Sequence, residues 1–230
     1  MDPKRIILIR HGKSVGNANP EINSRIPDYA LKLNEEGIMQ AKESGKNLKD
    51  LIKEETAFFY ISPYWRTRMT FEEIARHFSS DRYKFIEEPR LREQEWGHQR
   101  SAVETKLIEE ERDAYGPFYF RFPDGESGAD VYDRVSSFFG TLFRDFEKRN
   151  FPENAVIITH GMTIRLFIMK WFHMSVEDYE KFANPENCQL IVLERESNGK
   201  YLLKSELKTH EVKHKYQRPL KIKSDNEAFK

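Results

Sequence analysis

The sequence predicts an α/β fold: a mainly parallel central sheet with helices on both faces, in three layers α/β/α. Three observations predict it. Residues 6–9 (Ile-Ile-Leu-Ile) and 155–159 (Ala-Val-Ile-Ile-Thr) are short and mostly β-branched and apolar, which suits strands buried on both faces. Helical stretches alternate with such runs, and that alternation requires right-handed crossovers within one sheet. Both runs also end on the same pair, at His11-Gly12 and at His160-Gly161. In an open α/β sheet the carboxyl ends of the strands border a ligand crevice, so both histidines are expected there.

Each further element follows from local signals. After the first strand, Ser14, Gly16 and Asn17 make a small polar turn. Residues 18–33 contain Asn19-Pro20 and Ile26-Pro27-Asp28 without an apolar period and read as an ordered loop over the crevice, with Ser24 in it. Asn34 suits an N-cap, Glu35 and Glu36 complement the helix dipole, and the helix runs to about residue 52. Residues 56–61 (T-A-F-F-Y-I) form a second buried strand, and a helix over 64–78 places Arg66 near its start. A short strand at 83–86, a charged exposed helix at 101–112 and an aromatic loop at 114–123 come next, then a helix from about 129 to 148. After the strand at 155–159 come a helix over 162–172, a short one capped by Ser175, and an edge hairpin of 189–194 with 201–207 around Asn198-Gly199.

Composition bounds the function. The 230 residues fit one domain over 1–207, followed by a polar tail, 208–230, with seven Lys/Arg against three Asp/Glu. Lysine plus arginine equals aspartate plus glutamate, 38 against 38, so no global field favours nucleic acid. The apolar runs are too short to span a membrane, and the four residues before the first strand are no signal peptide. The lone cysteine, Cys188, rules out an internal disulfide and fits a reducing compartment. Cytoplasm is the expected location, with the nucleus open, and the oligomeric state carries no signal.

The strand ends suit phosphoryl transfer, which needs cations on the phosphate oxygens, a nucleophile, and an acid for the leaving oxygen. Arg10 and Arg66 follow the first and second strands and can fork onto phosphate oxygens. His11 is the candidate nucleophile, and His160 a donor to the same oxygens. Glu93 is the candidate acid, with Glu95 its rival. Each also has a plain alternative: Arg10 and His11 as strand-end caps, Arg66 as a surface helix residue. The paired His-Gly turns favour the site. No C-x-x-C or P-loop pattern is present, so neither a metal site nor a nucleotide triphosphate is expected.

These residues resemble the histidine phosphatase superfamily, in its phosphoglycerate mutase-like branch. The family's R-H-G-E-S-x-x-N is similar to Arg10-His11-Gly12-Lys13-Ser14-Val15-Gly16-Asn17, and its S-x-x-x-R-[AT]-x-x-T to the stretch from Ser62 to Thr70. L-x-E-x-x-x-G matches Leu91 to Gly97, G-E-S matches Gly125-Glu126-Ser127, and [ST]-H-G matches Thr159-His160-Gly161. The resemblance covers about residues 5 to 207. It implies His11 as the phosphorylated nucleophile, Glu93 as proton donor, and Arg10, Arg66 and His160 around the phosphate, with no metal or organic cofactor. Asn17, Ser24 and Gly161 are the further phosphate- or substrate-binding candidates. Within the branch, L-R-E-Q-E-W-G, F-Y-F-R-F-P-D-G-E-S and D-V-Y-D-R-V look like the broad-range acid phosphatases, where Arg121 would add a substrate cation. Cofactor-dependent mutases carry a paired-arginine insertion before G-E-S; residues 99–121 hold none. A phosphomonoesterase acting on phosphorylated small molecules or phosphopeptides is therefore expected, ahead of a mutase or a non-catalytic phospholigand-binding module. Lys13 departs from the family's glutamate. Turned into the pocket it would attract anions; turned to solvent, the expected case, it would do nothing.

Overall fold

A computed structural model describes residues 2–97 and 101–212; the tail from residue 213 onward, and with it most of the predicted basic tail, lies outside them. In chain order the elements are β1 (Arg5–Arg10), α1 (Val15–Ala18), 3-10 turns at Pro20–Ser24 and Asp28–Ala30, α2 (Glu35–Ile52), β2 (Ala57–Ile61), α3 (Trp65–Ala75), β3 (Tyr83–Glu87), a 3-10 turn at Pro89–Leu91, α4 (Ala102–Tyr115), α5 (Gly128–Phe146), β4 (Asn154–Thr159), α6 (Gly161–Trp171), α7 (Val176–Lys181), β5 (Leu190–Arg195) and β6 (Tyr201–Leu203). They build one six-stranded sheet in the order β3-β2-β4-β1-β5-β6. The first four strands of the chain run parallel, and β5 and β6 pair antiparallel at one side.

The alternation of side chains along each strand explains the layers. Ile6 and Leu8 face a core shared with Val135, Phe138 and Phe167 of α5 and α6. Ile7 and Ile9 face the opposite core, built with Leu48, Ile52, Phe71 and Ile74 of α2 and α3. With both faces covered, neither position in the pair can be polar, and the continuous apolar runs follow. Asn34 caps α2 by accepting from the Gly37 N–H at 2.8 Å, as its sequence position predicts.

Three local expectations needed adjustment. The loop over the crevice contains α1 and two 3-10 turns, because Ser14 and Asn17 close a reciprocal capping box and Asn19 caps the turn that begins at Pro20. The charged helix runs three residues further, to Tyr115, and stops where Gly116 adopts a φ of 116°. The second hairpin strand is short: beyond Leu203 the hydroxyl of Ser205 bonds the Val192 N–H and the Leu190 carbonyl, displacing backbone pairing.

Candidate active site

Strand register creates the site. Arg10 is the partner of Thr159 in the β1–β4 ladder, so the next residues, His11 and His160, leave the sheet side by side. Their rings meet edge-on with centroids 5.1 Å apart. From β2, the Ser62 N–H pairs with the Ile158 carbonyl, which brings the Ser62 hydroxyl to 2.8 Å from His160 Nε2. Arg66, one residue into α3, projects into the same space and is only 4% exposed. The chain at residues 12–13 approaches the first turn of α2 too closely for a side chain at Gly12 or Gly37: a Cβ on Gly12 would lie 2.4 Å from the Gly37 carbonyl oxygen. Gly12 therefore serves helix packing.

His11 is oriented from both ends. Its Nδ1–H donates to the Gly12 carbonyl at 2.8 Å, leaving Nε2 as the acceptor, and Arg66 Nε donates to that atom at 3.3 Å. The backbone is pinned by the Asn187 amide, which donates to the His11 carbonyl at 2.8 Å. Burial, then the Arg66 and Arg10 cations, holds the His11 pKa well below the ordinary imidazole value, so the ring is neutral. His160 is likewise neutral, through burial and then Arg66.

Glu93 faces His160: Oε2 lies 3.6 Å from Nδ1, a buried atom that has no hydrogen-bond partner. Burial raises the carboxyl's pKa; Arg66 opposes the rise and the Asp28 carboxylate adds to it. Its loop is clamped from α5. Arg134 donates to the Arg90, Arg92 and Glu93 carbonyls and pairs with both carboxylate oxygens of Glu126 at 3.0 Å. Glu126 in turn accepts from Arg92 and from the Glu95 N–H. The glutamate of Gly125-Glu126-Ser127 is thus the anchor of the loop that carries Glu93.

Arg10 donates from Nη1 to the Pro185 carbonyl at 2.7 Å, while its Nε is buried without a partner. Arg66 is held by Asp28, described below. Arg10, His11, Arg66 and Glu93 floor a cavity of about 530 Å³, and His160, fully buried, is not part of its surface. Its upper walls are Trp96 and Phe122, packed edge-on at 4.8 Å, together with Asn17, Asn23, Asn184 and the α4 residues Thr105, Lys106, Ile108 and Glu109.

Of the sequence candidates, the structure gathers Arg10, His11, Arg66 and Glu93 around the cavity, with Asn17 at the rim, and sets the buried His160 against His11 and Glu93. Gly161 opens α6 behind His160, and a Cβ there would meet the Asn184 side chain at 2.7 Å. Ser24 does not line the cavity: its hydroxyl donates to the Glu21 carbonyl. Nor does Arg121, whose guanidinium turns outward to Asp130 and the Gly125 carbonyl. Lys13 pairs with Glu36 at 2.7 Å and stays outside the cavity. Sequence reasoning missed Asp28, Ser62, Arg134 and the α4 wall, and had read residues 101–112 only as a charged, exposed helix.

His11, Glu93 and His160 offer donor atoms within 4.8 Å of one another, a spacing that a metal ion would accept. Spacing along the sequence hid this cluster because three separate segments supply it. The surroundings suit an anion better. Two guanidinium groups disfavour positive charge on either ring, and both Nε2 atoms are engaged, by Arg66 and Ser62.

Comparison with known proteins agrees with this geometry. Residues 6–208 match the profile of the histidine phosphatase superfamily, branch 1. The chain belongs to that superfamily and is an enzyme of the phosphatase class. Among its relatives is the phosphoglycerate mutase-like protein AT74H of Arabidopsis thaliana, 41% identical over 217 residues that cover 87% of this chain and 77% of that one. Another is the broad-range acid phosphatase DET1 of Saccharomyces cerevisiae, 30% identical with 89% and 90% covered. A mycobacterial glucosyl-3-phosphoglycerate phosphatase shares the fold, with a TM-score of 0.70 at 17% identity over 90% of this chain and all of that one.

Proposed function

We propose that the protein is a metal-independent phosphomonoesterase that works through a phosphohistidine at His11. The observation that carries this reading is the His11 ring: neutral, its Nδ1–H spent on the Gly12 carbonyl, its Nε2 lone pair turned toward the Arg66 guanidinium. Arg10, Arg66 and His160 hold the phosphate oxygens. Nε2 attacks phosphorus, the bond to the ester oxygen breaks, and the protonated Glu93 gives its proton to the leaving alkoxide. Glu93, now a carboxylate, takes a proton from water as that water attacks the phosphohistidine; the P–N bond breaks and His11 recovers its lone pair. The resemblance to a broad-range acid phosphatase supports hydrolysis. So does the cavity lining, whose cations among the described residues are Arg10, Arg66 and Lys106. They form one phosphate site and no paired-arginine second one, as a mutase cycle would use.

The test is phosphate release from p-nitrophenyl phosphate, 3-phosphoglycerate, sugar phosphates and phosphopeptides between pH 4 and 8, with and without chelator. His11→Ala is expected to abolish release from every ester, and chelator to leave it unchanged. Turnover that chelator removes would sink the proposal.

A further inference from the structure

The Arg66 guanidinium is held at its outer end by a single residue. Nη1 donates to the Asp28 carbonyl at 2.6 Å and to Oδ1 at 3.0 Å, and Nη2 donates to Oδ2 at 3.0 Å. The Tyr64 ring packs on the guanidinium, with Cζ 5.0 Å from its centroid. The inner edge is what remains: Nε points at His11 Nε2, 3.3 Å away. A guanidinium has two forked edges, and Asp28 takes the one that faces away from the nucleophile. Asp28 is itself fixed in the Asp28–Ala30 turn, which follows Pro27 and is closed by the Ala30 and Leu31 N–H groups.

We propose that Asp28 is a positioning residue for phosphoryl transfer: by saturating the outer edge of Arg66, it aims the inner edge at the phosphate seated on His11. This rests on the reading of His11 as nucleophile. Arginine has a long side chain with much rotational freedom, and gripping it before substrate arrives removes that ordering cost from the binding step. The carboxylate also reaches the acid. Around Glu93 stand Arg66 of α3, Arg10 at the end of β1, His11 just after it, His160 before α6, Arg134 of α5, Tyr64, and Asp28. Asp28 is the group of this set whose negative charge helps Glu93 keep its proton.

The experiment compares wild type with Asp28→Asn and Asp28→Glu, first checking that all melt alike. It measures KM and kcat for p-nitrophenyl phosphate, inhibition by inorganic phosphate, and the pH dependence of kcat/KM. Asp28→Asn is expected to raise KM and the phosphate Ki on the order of tenfold, the scale of one lost held hydrogen bond, with a smaller change in kcat. Its basic limb should move to lower pH, because Glu93 then loses its proton more readily. Asp28→Glu keeps the charge and should keep that limb near its wild-type position. Tighter phosphate binding in Asp28→Asn would overturn the assignment, since the carboxylate would then be a plug that substrate displaces. Unchanged constants and pH profile would overturn it too. A wild type that releases no phosphate through His11 would instead remove the reading beneath it, so the two failures are distinguishable.

Discussion

In the proposed reaction His11 attacks only while Nε2 is free of a proton, and Glu93 donates only while it keeps one. The site pushes the two in opposite directions: burial and the arginines depress the imidazole, and burial raises the carboxyl. The acid edge of the kcat/KM profile should therefore lie well below an ordinary histidine's ~6.5, and the basic edge above an ordinary glutamate's ~4.3. Glu93→Gln should erase the basic edge. It should also slow alkyl phosphates by about 10²-fold or more, and p-nitrophenyl phosphate far less, because p-nitrophenolate leaves without a proton. Equal loss on both esters would contradict a role in leaving-group protonation.

The same rings couple stability to pH. A group whose folded pKa is depressed contributes stability above its unfolded pKa and loses it as pH falls through the folded value. For His11 and His160 that loss begins near pH ~6.5 and continues downward. Glu93, raised, acts in the opposite sense, its contribution fading as pH climbs past its unfolded value. Melting temperatures from pH 4.5 to 7 should fall toward acid, and His160→Gln should flatten the slope. An unchanged slope would mean that the buried imidazole takes up protons as readily as a free one.

At the scale of elements, what positions Glu93 is a helix on the far side of its loop. Arg134 sits three residues after Val131 and four before Phe138, both fully buried, so a charge interrupts the inward stripe of α5. That interruption was the available signal in Asp-Val-Tyr-Asp-Arg-Val, and it marks a buried clamp. Arg134→Ala removes the donor to the Arg90 and Glu93 carbonyls and two of the hydrogen bonds that hold Glu126. It should cost about 3 kcal/mol in urea unfolding, the scale of a broken buried pair. The kcat on alkyl esters should fall with it as Glu93 loses its aim.

The parallel strands and the residues at their ends were legible because burial on both faces writes an unbroken apolar run, and the run's end marks the crevice. Asp28 and Ser62 were not, since they reach the site by tertiary packing of a turn and a neighbouring strand. Ser24 and Arg121 went astray because nearby acceptors, the Glu21 carbonyl and the Asp130 carboxylate, decide where those side chains turn.

On the scale of the whole molecule, the sheet separates two cores, and β4 contributes to both: Ile157 to one, Val156 and Ile158 to the other. β4 is also the strand whose register sets His160 beside His11. Ile157→Ala should therefore destabilise by about 3 kcal/mol, typical of a buried large-to-small change, as read from denaturant midpoints. It should leave the pH profile of the surviving folded enzyme where it was. A shifted profile would show that repacking of the core reaches the strand end. No helix among the described residues is long and apolar enough to cross a membrane.

The floor of the cavity and its α4 wall come from different parts of the chain. The groups that face phosphate in the proposed reaction hang from strand ends and helix starts locked into both cores, whereas Thr105, Lys106, Ile108 and Glu109 belong to a single solvent-flanked helix. If the proposed reaction holds, bond cleavage and choice of alcohol are written in separable text: substitutions in that helix should retune which esters fit, one residue at a time, while the reaction itself stays intact.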